Sequence, residues 1–503
     1  MRYGFLVGIV GLLFGPRDAA AELTLARVFS DHMVVQRERP IRVWGWASSA
    51  DVVTVRFAGQ SAEVFPAGDG GWAVELEPLA ASASGQTLEV CSGDRQLVIR
   101  DVLVGDVWHA SGQSNMAMTV KAACDALPEI EAVAAMSDLP AVRFCRIHAG
   151  ASREPLADLP SEVRWQVCTP RTAPGFSAAA FFFAQRLHQS LDVPIGVVDS
   201  SRGGTPIEPF IPRAAFVGHP TLVRERELGD RDDLDGLSRM PGGVRARDDN
   251  WLPGRLYHSR LAPIERMPVR GCIWYQGESN CGVGEDPRDY ASKMRALVCG
   301  WRQAMGRDDL PFFYVQLPGS GAGAGWPSLR EQQRLAADLE GVGMVVTVDL
   351  EGEGIHPPNK VDVGRRLAAW ALAEVSDRDV PHGGPLVRDQ EVRGSSLVIR
   401  FHHAESGLMT ATKKGLSPPQ ETPDAQPRLF EVADREGCWY PATARIEGTT
   451  VIVASDAVAR PVAARYAYAV APDACNLYNR DGLPASPFCT DPALVPYDPQ
   501  LPE

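Results

Sequence analysis

The run DVLVGDVW at 101–108 leads through His109, Ala110 and Ser111 into GQSNM at 112–116, and the fold is read outward from there. The β-branched residues of the first run read as a buried strand. The strand breaks at Gly112, and Ser114 stands at the break, ahead of a helix expected from Asn115 to Ala123. A hydroxyl so placed is exposed at the strand's C-terminal end, where backbone N–H groups can face an oxyanion. A Ser-Asn pair also begins ordinary helices as a cap. The reading therefore depends on what the rest of the chain brings to the same place.

Upstream, from Leu23 to about Arg100, short alternating strands are broken by Gly, Pro and Asp, as in IRVWGW at 41–46, Val52 to Phe57 and Trp72 to Leu76. This spacing predicts a small antiparallel β-sandwich. Trp44, Trp46 and Trp72 read as packing residues rather than a carbohydrate-binding surface. Downstream of Asp101 strands and helices alternate, which implies a mainly parallel sheet covered on both faces. Ser177 caps a helix to Leu191, and Pro194 to Asp199 is a strand ending in SSRGGT at 200–205. Val269 to Tyr275 is a strand ending in QGESN at 276–280, followed by a helix with Tyr290, Met294, Leu297 and Trp301 inward. Pro311 to Leu317 and Gly343 to Leu350 are further strands. Ser328 and Glu331 form a capping box for the helix to Leu339, and Asn359 caps a last helix carrying Val363, Leu367, Trp370 and Ala371. The charged, glycine-punctuated segment from Arg224 to Asn250 reads as a solvated surface excursion rather than a lid. After about Val380 the β texture returns. The expected domains are 22–100, 101–380 and 381–503.

Residues 1–21 read separately: Arg2 precedes an apolar run from Tyr3 to Phe14, and Ala19 to Ala21 suits cleavage before Glu22. That is a secretory signal peptide, too short in its apolar part to span a bilayer, and the chain is expected to be exported, periplasmic or extracellular. No later segment is long and apolar enough to span. With 45% hydrophobic and 22% charged residues the 503-residue chain is ordinary for a globular protein, and its formal charge of -13 argues against nucleic acid as a partner. None of the ten cysteines forms a CxxC pair, and the ten histidines are scattered, so no metal is expected.

Three strand ends thus deliver polar groups: Ser114, the Gly203-Gly204 turn, and Gln276-Gly277-Glu278, while a fourth strand leads to His356. Parallel sheets collect their sites outside the carboxyl ends of the strands. Chemistry then assigns roles. Ser114 attacks, His356 takes its proton, and the Ser114 and Gly203 N–H groups with the Gln276 amide hold the oxyanion, Glu278 lying beside them.

At these residues the chain resembles the sialate O-acetylesterase family, carbohydrate esterases of the SGNH-hydrolase type. The matching stretches are FSDHMVVQ at 29–36, VWGW at 43–46, VGDVW at 104–108, GQSNM at 112–116, GGT at 203–205, WYQGESN at 274–280, IHP at 355–357 with Asn359 and Lys360, and NLYN at 476–479 with GLPA at 482–485. The resemblance implies an α/β fold: a flavodoxin-like, three-layer α/β/α SGNH domain flanked by N- and C-terminal β-sandwich-like domains. It also implies Ser114 as nucleophile, His356 as base, no cofactor, and removal of O-acetyl groups from carbohydrates, sialic acids above all. An acetyl-xylan or other plant-glycan esterase is the alternative enzyme. A carbohydrate-binding protein with a weakened site is the alternative outside enzymes. The chain departs from the family pattern at one place. Such esterases usually set an Asp two or three residues before the histidine, and here those positions hold Gly354 and Glu353. Glu353 is the expected orienting acid, with Asp349 and a bare Ser–His dyad as the other possibilities.

Overall fold

The structure is a computed structural model that describes residues 23–47, 51–161, 163–218, 220–239, 248–281, 286–319, 323–350, 352 and 354–495. The expected signal peptide at 1–21, part of the 224–250 excursion and Glu353 lie outside the described residues.

The axis of the molecule is one strand of 18 residues, Arg95–Gly112, buried from Val102 onward. Its first half pairs antiparallel with Ser82–Ser92, and its second half runs parallel between Ile195–Asp199 and Gly271–Tyr275. The change of texture at Asp101 thus falls inside a continuous strand, on a residue with φ of 55°. Aspartate tolerates that left-handed conformation better than most residues. Its carboxylate is held by His32 at 2.7 Å and Arg143 at 3.0 Å. Of the three tryptophans, Trp44 and Trp72 are buried and Trp46 is half-buried.

Across the central sheet the order is Trp165–Cys168, Leu139–Arg146, Ile195–Asp199, Arg95–Gly112, Gly271–Tyr275, Phe312–Val315 and Val342–Val345. Only the first of these runs antiparallel to its neighbour. Numbered along the chain, the six parallel strands lie in the order 2-3-1-4-5-6. This corrects the flavodoxin-like expectation, which places strand 1 next to strand 2. The third strand inserts between them because all five of its residues are buried, whereas Leu139–Arg146 gives its outer edge to the Trp165–Cys168 hairpin partner.

Side chains alternate between the faces. Cys272 and Trp274 join a core with Leu297, Trp301 and Leu329, while Ile273 and Tyr275 join another with Phe181, Leu367 and Ala371. On the second face the helices Ala178–Leu191 and Lys360–Glu374 touch closely. A Cβ on Gly364 would stand 2.6 Å from Phe182 Cβ and from the Phe183 nitrogen, so only glycine fits. Both helices start where their caps were expected: Ser177 accepts from Ala180 N at 3.2 Å, and Asn359 from Asp362 N at 3.1 Å.

Other expectations are corrected. The helix after Ser114 is two pieces, Ser114–Ala117 and Val120–Ala126, because Thr119 caps the second by accepting from Ala122 N. Ser328 is inside its helix, Trp326–Ala336, not before it; Pro327 occupies the first turn, where its missing N–H costs nothing. The last parallel strand stops at Val345. The charged excursion contains two helices, Pro220–Asp230 and Leu234–Arg239, and is not simply solvated. Glu225 is fully buried and meets Lys293 at 2.9 Å.

The C-terminal region forms three small antiparallel sheets around their own core of Leu397, Ile399, Val432, Val451, Val453 and Phe488. It docks on the parallel sheet through buried polar contacts. Gln316 donates to Ser486 Oγ at 2.9 Å, and Tyr478 donates to Asp349 at 3.3 Å. Among the described residues no helix is long and apolar enough to cross a membrane.

Candidate active site

Ser114 sits where the axial strand ends. Gly112, with φ of 130°, makes this possible, since a Cβ there would stand 2.1 Å from the Tyr275 carbonyl oxygen. Gln113 N donates to that same carbonyl at 2.9 Å, and Arg202 N donates to Gly112 O at 2.9 Å. The nucleophile turn is thereby stitched to the ends of both neighbouring strands. Gly203 lies against Ser114: a Cβ on it would be 3.7 Å from Ser114 Cβ. Among the described residues no acceptor is bonded to the Ser114 or Gly203 N–H, so both are available to an oxyanion.

His356 Nε2 is 2.7 Å from Ser114 Oγ, across 242 positions of chain. Both side chains are half-buried. Burial, then the positive charge of Lys360, holds the His356 pKa below its ordinary value. The ring is therefore neutral at physiological pH and can accept the serine proton.

The structure assigns Gln276 elsewhere. It is fully buried, and its amide nitrogen donates to Gln113 Oε1 at 3.0 Å, Asn280 Oδ1 at 2.8 Å and Thr205 O at 3.3 Å, while its Oε1 accepts from Tyr290 OH at 2.6 Å. With every N–H engaged, it is a strut between turns and not an oxyanion donor. Asn280 carries the network on, donating to both Glu208 oxygens at 3.0 and 3.1 Å, and Glu208 meets Lys293 at 2.5 Å. Glu278 is likewise inside rather than facing substrate: it is 7% exposed, and its Oε1 accepts from Asn115 Nδ2. Burial raises its pKa, with the Asn115 bond opposing.

Asp349 is excluded from orienting His356. Its two oxygens each accept from Arg366 at 2.7 Å, and Tyr478 donates to one of them. Both partners of this pair are buried. Asp349→Asn is accordingly expected to leave kcat near normal while destabilising the fold by roughly 3–5 kcal/mol, because Arg366 stays buried without its charge partner. Denaturant unfolding beside steady-state kinetics checks this, and a stable variant of low kcat would return Asp349 to the site.

Residue chemistry in sequence also passed over three buried groups. Asn115 is adjacent to Ser114, and its Nδ2 donates to Ile355 O at 2.8 Å. Lys360 Nζ donates to Asn115 Oδ1 and to Pro357 O, both at 2.6 Å. Burial pushes the Lys360 pKa down to about 7, with the Glu278 charge opposing. Gln113 Oε1 also accepts from Ser279 N at 3.1 Å. The available signal was position: each stands beside a residue already singled out. Among the described residues no three His, Cys, Asp or Glu side chains converge as metal ligands.

A family model described as carbohydrate esterase, sialic acid-specific acetylesterase, matches residues 238–373, which carry the Gly271–Tyr275 strand, its turn and His356. Sialate O-acetylesterase of Rattus norvegicus is 28% identical over 541 aligned residues, covering 94% of this chain and 95% of that protein. The human protein of the same name is 28% identical over 540, covering 96% of each. The crystal structure of a carbohydrate acetylesterase from Xanthomonas citri is 34% identical with a TM-score of 0.80, covering 93% of this chain and 99% of that one.

The chain belongs to the sialate O-acetylesterase family of carbohydrate esterases. Membership makes it an ester-hydrolysing enzyme with a carbohydrate substrate, and the reading as a mere binding protein falls away. In this family member, Ser114 and His356 meet at the carboxyl ends of the sheet as their strand-end positions led one to expect.

Proposed function

We propose that this esterase removes O-acetyl groups from sialic acids through an acetyl-Ser114 intermediate. The observation that carries the reaction is the 2.7 Å contact between His356 Nε2 and Ser114 Oγ beside two N–H groups that bond to no acceptor among the described residues. Ser114 Oγ bonds to the acetyl carbon while its proton passes to His356. The Ser114 and Gly203 N–H groups receive the negative oxygen. The bond between the acetyl carbon and the sugar oxygen then breaks, and His356 gives its proton to that oxygen, releasing the sugar hydroxyl. Water repeats the sequence on the acetyl-enzyme and releases acetate. No step calls for a cofactor. Glu353, three positions before His356 in the sequence, is the residue proposed to orient the imidazole. Glu353→Gln is expected to lower kcat by at least about tenfold with KM little changed, since a carboxylate there stabilises the imidazolium. A mild effect in steady-state assays would leave a Ser–His dyad.

Sialic acid differs from a neutral plant glycan by its carboxylate, and Arg202, whose N–H bonds to Gly112 O beside Ser114, supports the choice. Arg202, half-buried and one residue from Gly203, has no side-chain partner among the described residues. Arg146 Nε is 3.5 Å from Asp199. Arg260 is spent on the carbonyls of Ile147, Ala149, Ser200 and Ser201. Burial, then the Arg202 charge, pushes the Arg260 pKa down to about 10. Arg202, Arg146 and the Asp199 carboxylate are thus the charges that act on Arg260, which leaves Arg202 as the arginine of this group without a side-chain partner among the described residues, in a chain whose formal charge is -13. Acetate release is to be compared on O-acetylated sialic acid, acetylated xylan fragments and 4-nitrophenyl acetate. Arg202→Gln is expected to lower kcat/KM on the sialic acid about tenfold, the worth of one charge-assisted hydrogen bond, and to leave 4-nitrophenyl acetate nearly untouched. Faster turnover of xylan fragments, indifferent to Arg202, would instead make this a plant-glycan esterase.

The same reading takes residues 101–380 as an SGNH-type three-layer domain, with β domains at 22–100 and 381–503. The two separate cores on the faces of the sheet support it. Export to the periplasm or beyond is supported by the charged and apolar pattern of residues 1–21.

A further inference from the structure

The backbone on both sides of His356 is held from below. Asn115 Nδ2 donates to the carbonyl of Ile355 at 2.8 Å, and Lys360 Nζ donates to the carbonyl of Pro357 at 2.6 Å. The two holders are joined, since Lys360 also donates to Asn115 Oδ1 at 2.6 Å. Glu278 completes the group by accepting from Asn115 Nδ2, while its Oε2 has no hydrogen-bond partner among the described residues. Asn115 and Lys360 are fully buried, and Lys360 Nζ lies 5.2 Å from the centre of the Tyr275 ring. A buried amine and carboxylate are a costly way to gain stability, because apolar residues of the same shape usually do as well. Their use here calls for a different benefit. Asn115 is covalently next to Ser114, so whatever moves the Ser114 turn moves one holder of the histidine loop with it.

We propose that Asn115, Lys360 and Glu278 form a buried brace that fixes His356 against Ser114, making Asn115 and Lys360 positioning residues for ester hydrolysis. The inference rests on the reading of Ser114 and His356 as nucleophile and base. Among the described residues, Lys360 is the charged group whose field reaches His356, and Glu278 is the one acting on Lys360. Lys360 therefore does two things: it holds the loop, and it favours the neutral imidazole.

The test is steady-state kinetics across pH on the full chain, with 4-nitrophenyl acetate, for Asn115→Ala, Lys360→Met, the double variant and Ser114→Ala. Each brace variant is expected to lose about 10²-fold in kcat with KM within a few-fold, the cost of a misplacement near 1 Å. The double variant should be little worse than either single one, because both act through the same loop. Lys360→Met should also move the acid limb of kcat/KM to higher pH, which a purely structural loss would not do. Should a variant not fold, Glu278→Gln, which keeps the Oε1 acceptor, is compared with Glu278→Leu. The first is expected to lose clearly less in kcat than the second, which should be reduced like Asn115→Ala; equal kcat in the two would count against the brace. Folded brace variants with wild-type kcat and an unmoved acid limb, beside an inactive Ser114→Ala, overturn the brace alone. An active Ser114→Ala overturns the nucleophile assignment on which it rests.

Discussion

Ser114→Ala is expected to lower kcat by at least about 10⁴-fold, the scale seen when a nucleophile of this kind is removed. The substitution deletes one oxygen at a half-buried position and leaves the turn intact. Gln113 N still bonds to Tyr275 O, and Met118 N still bonds to Ser114's backbone carbonyl. The loss should therefore fall on turnover and not on the fold. Substrate affinity should survive, since Gly203 and Arg202 remain. Circular dichroism and thermal unfolding beside the assay separate the two. A variant within tenfold of wild type would remove Ser114 from the reaction.

His356→Ala is expected to cost a comparable factor, about 10⁴-fold, because the proton of Ser114 then has no acceptor at 2.7 Å. The wild-type pH profile carries the same claim. His356 accepts a proton only when neutral, so kcat/KM falls as pH drops through the pKa of the free enzyme. Burial and the Lys360 charge both disfavour the imidazolium. The acid limb should thus lie below the ordinary histidine value of about 6.5. A limb above that value, or a flat profile, would mean that another group takes the proton.

Local chemistry was legible in the sequence where it depends on near neighbours. The β-branched run at 101–108 is a buried strand, Ser177 and Asn359 are caps, and Tyr290, Met294, Leu297 and Trp301 line the buried face of Tyr290–Ala304. The Ser114–His356 pair was legible because each residue follows a strand end, and parallel strands bring such ends together. What depends on distant partners was not legible. Gln276 has the right amide for an oxyanion, but Gln113, 163 positions away, and Asn280 consume it. Glu225 stands among alternating charges that look solvated, and its burial is decided by Lys293, 68 positions on. Asp349 could reach a histidine in principle; Arg366 takes both its oxygens. The strand order escaped for the same reason, since connection composition does not say which side of strand 1 receives strand 3.

The acetyl-enzyme itself is the most direct test. Wild-type enzyme mixed with excess 4-nitrophenyl acetate, quenched in acid within the burst and digested, is examined by peptide mass spectrometry. The account expects one acetyl group in place of one hydrogen, on the peptide carrying GQSNM at 112–116, with fragment ions placing it on Ser114 and no such species from Ser114→Ala. An acetyl group trapped on a different residue in active enzyme, and unchanged in Ser114→Ala, would contradict it.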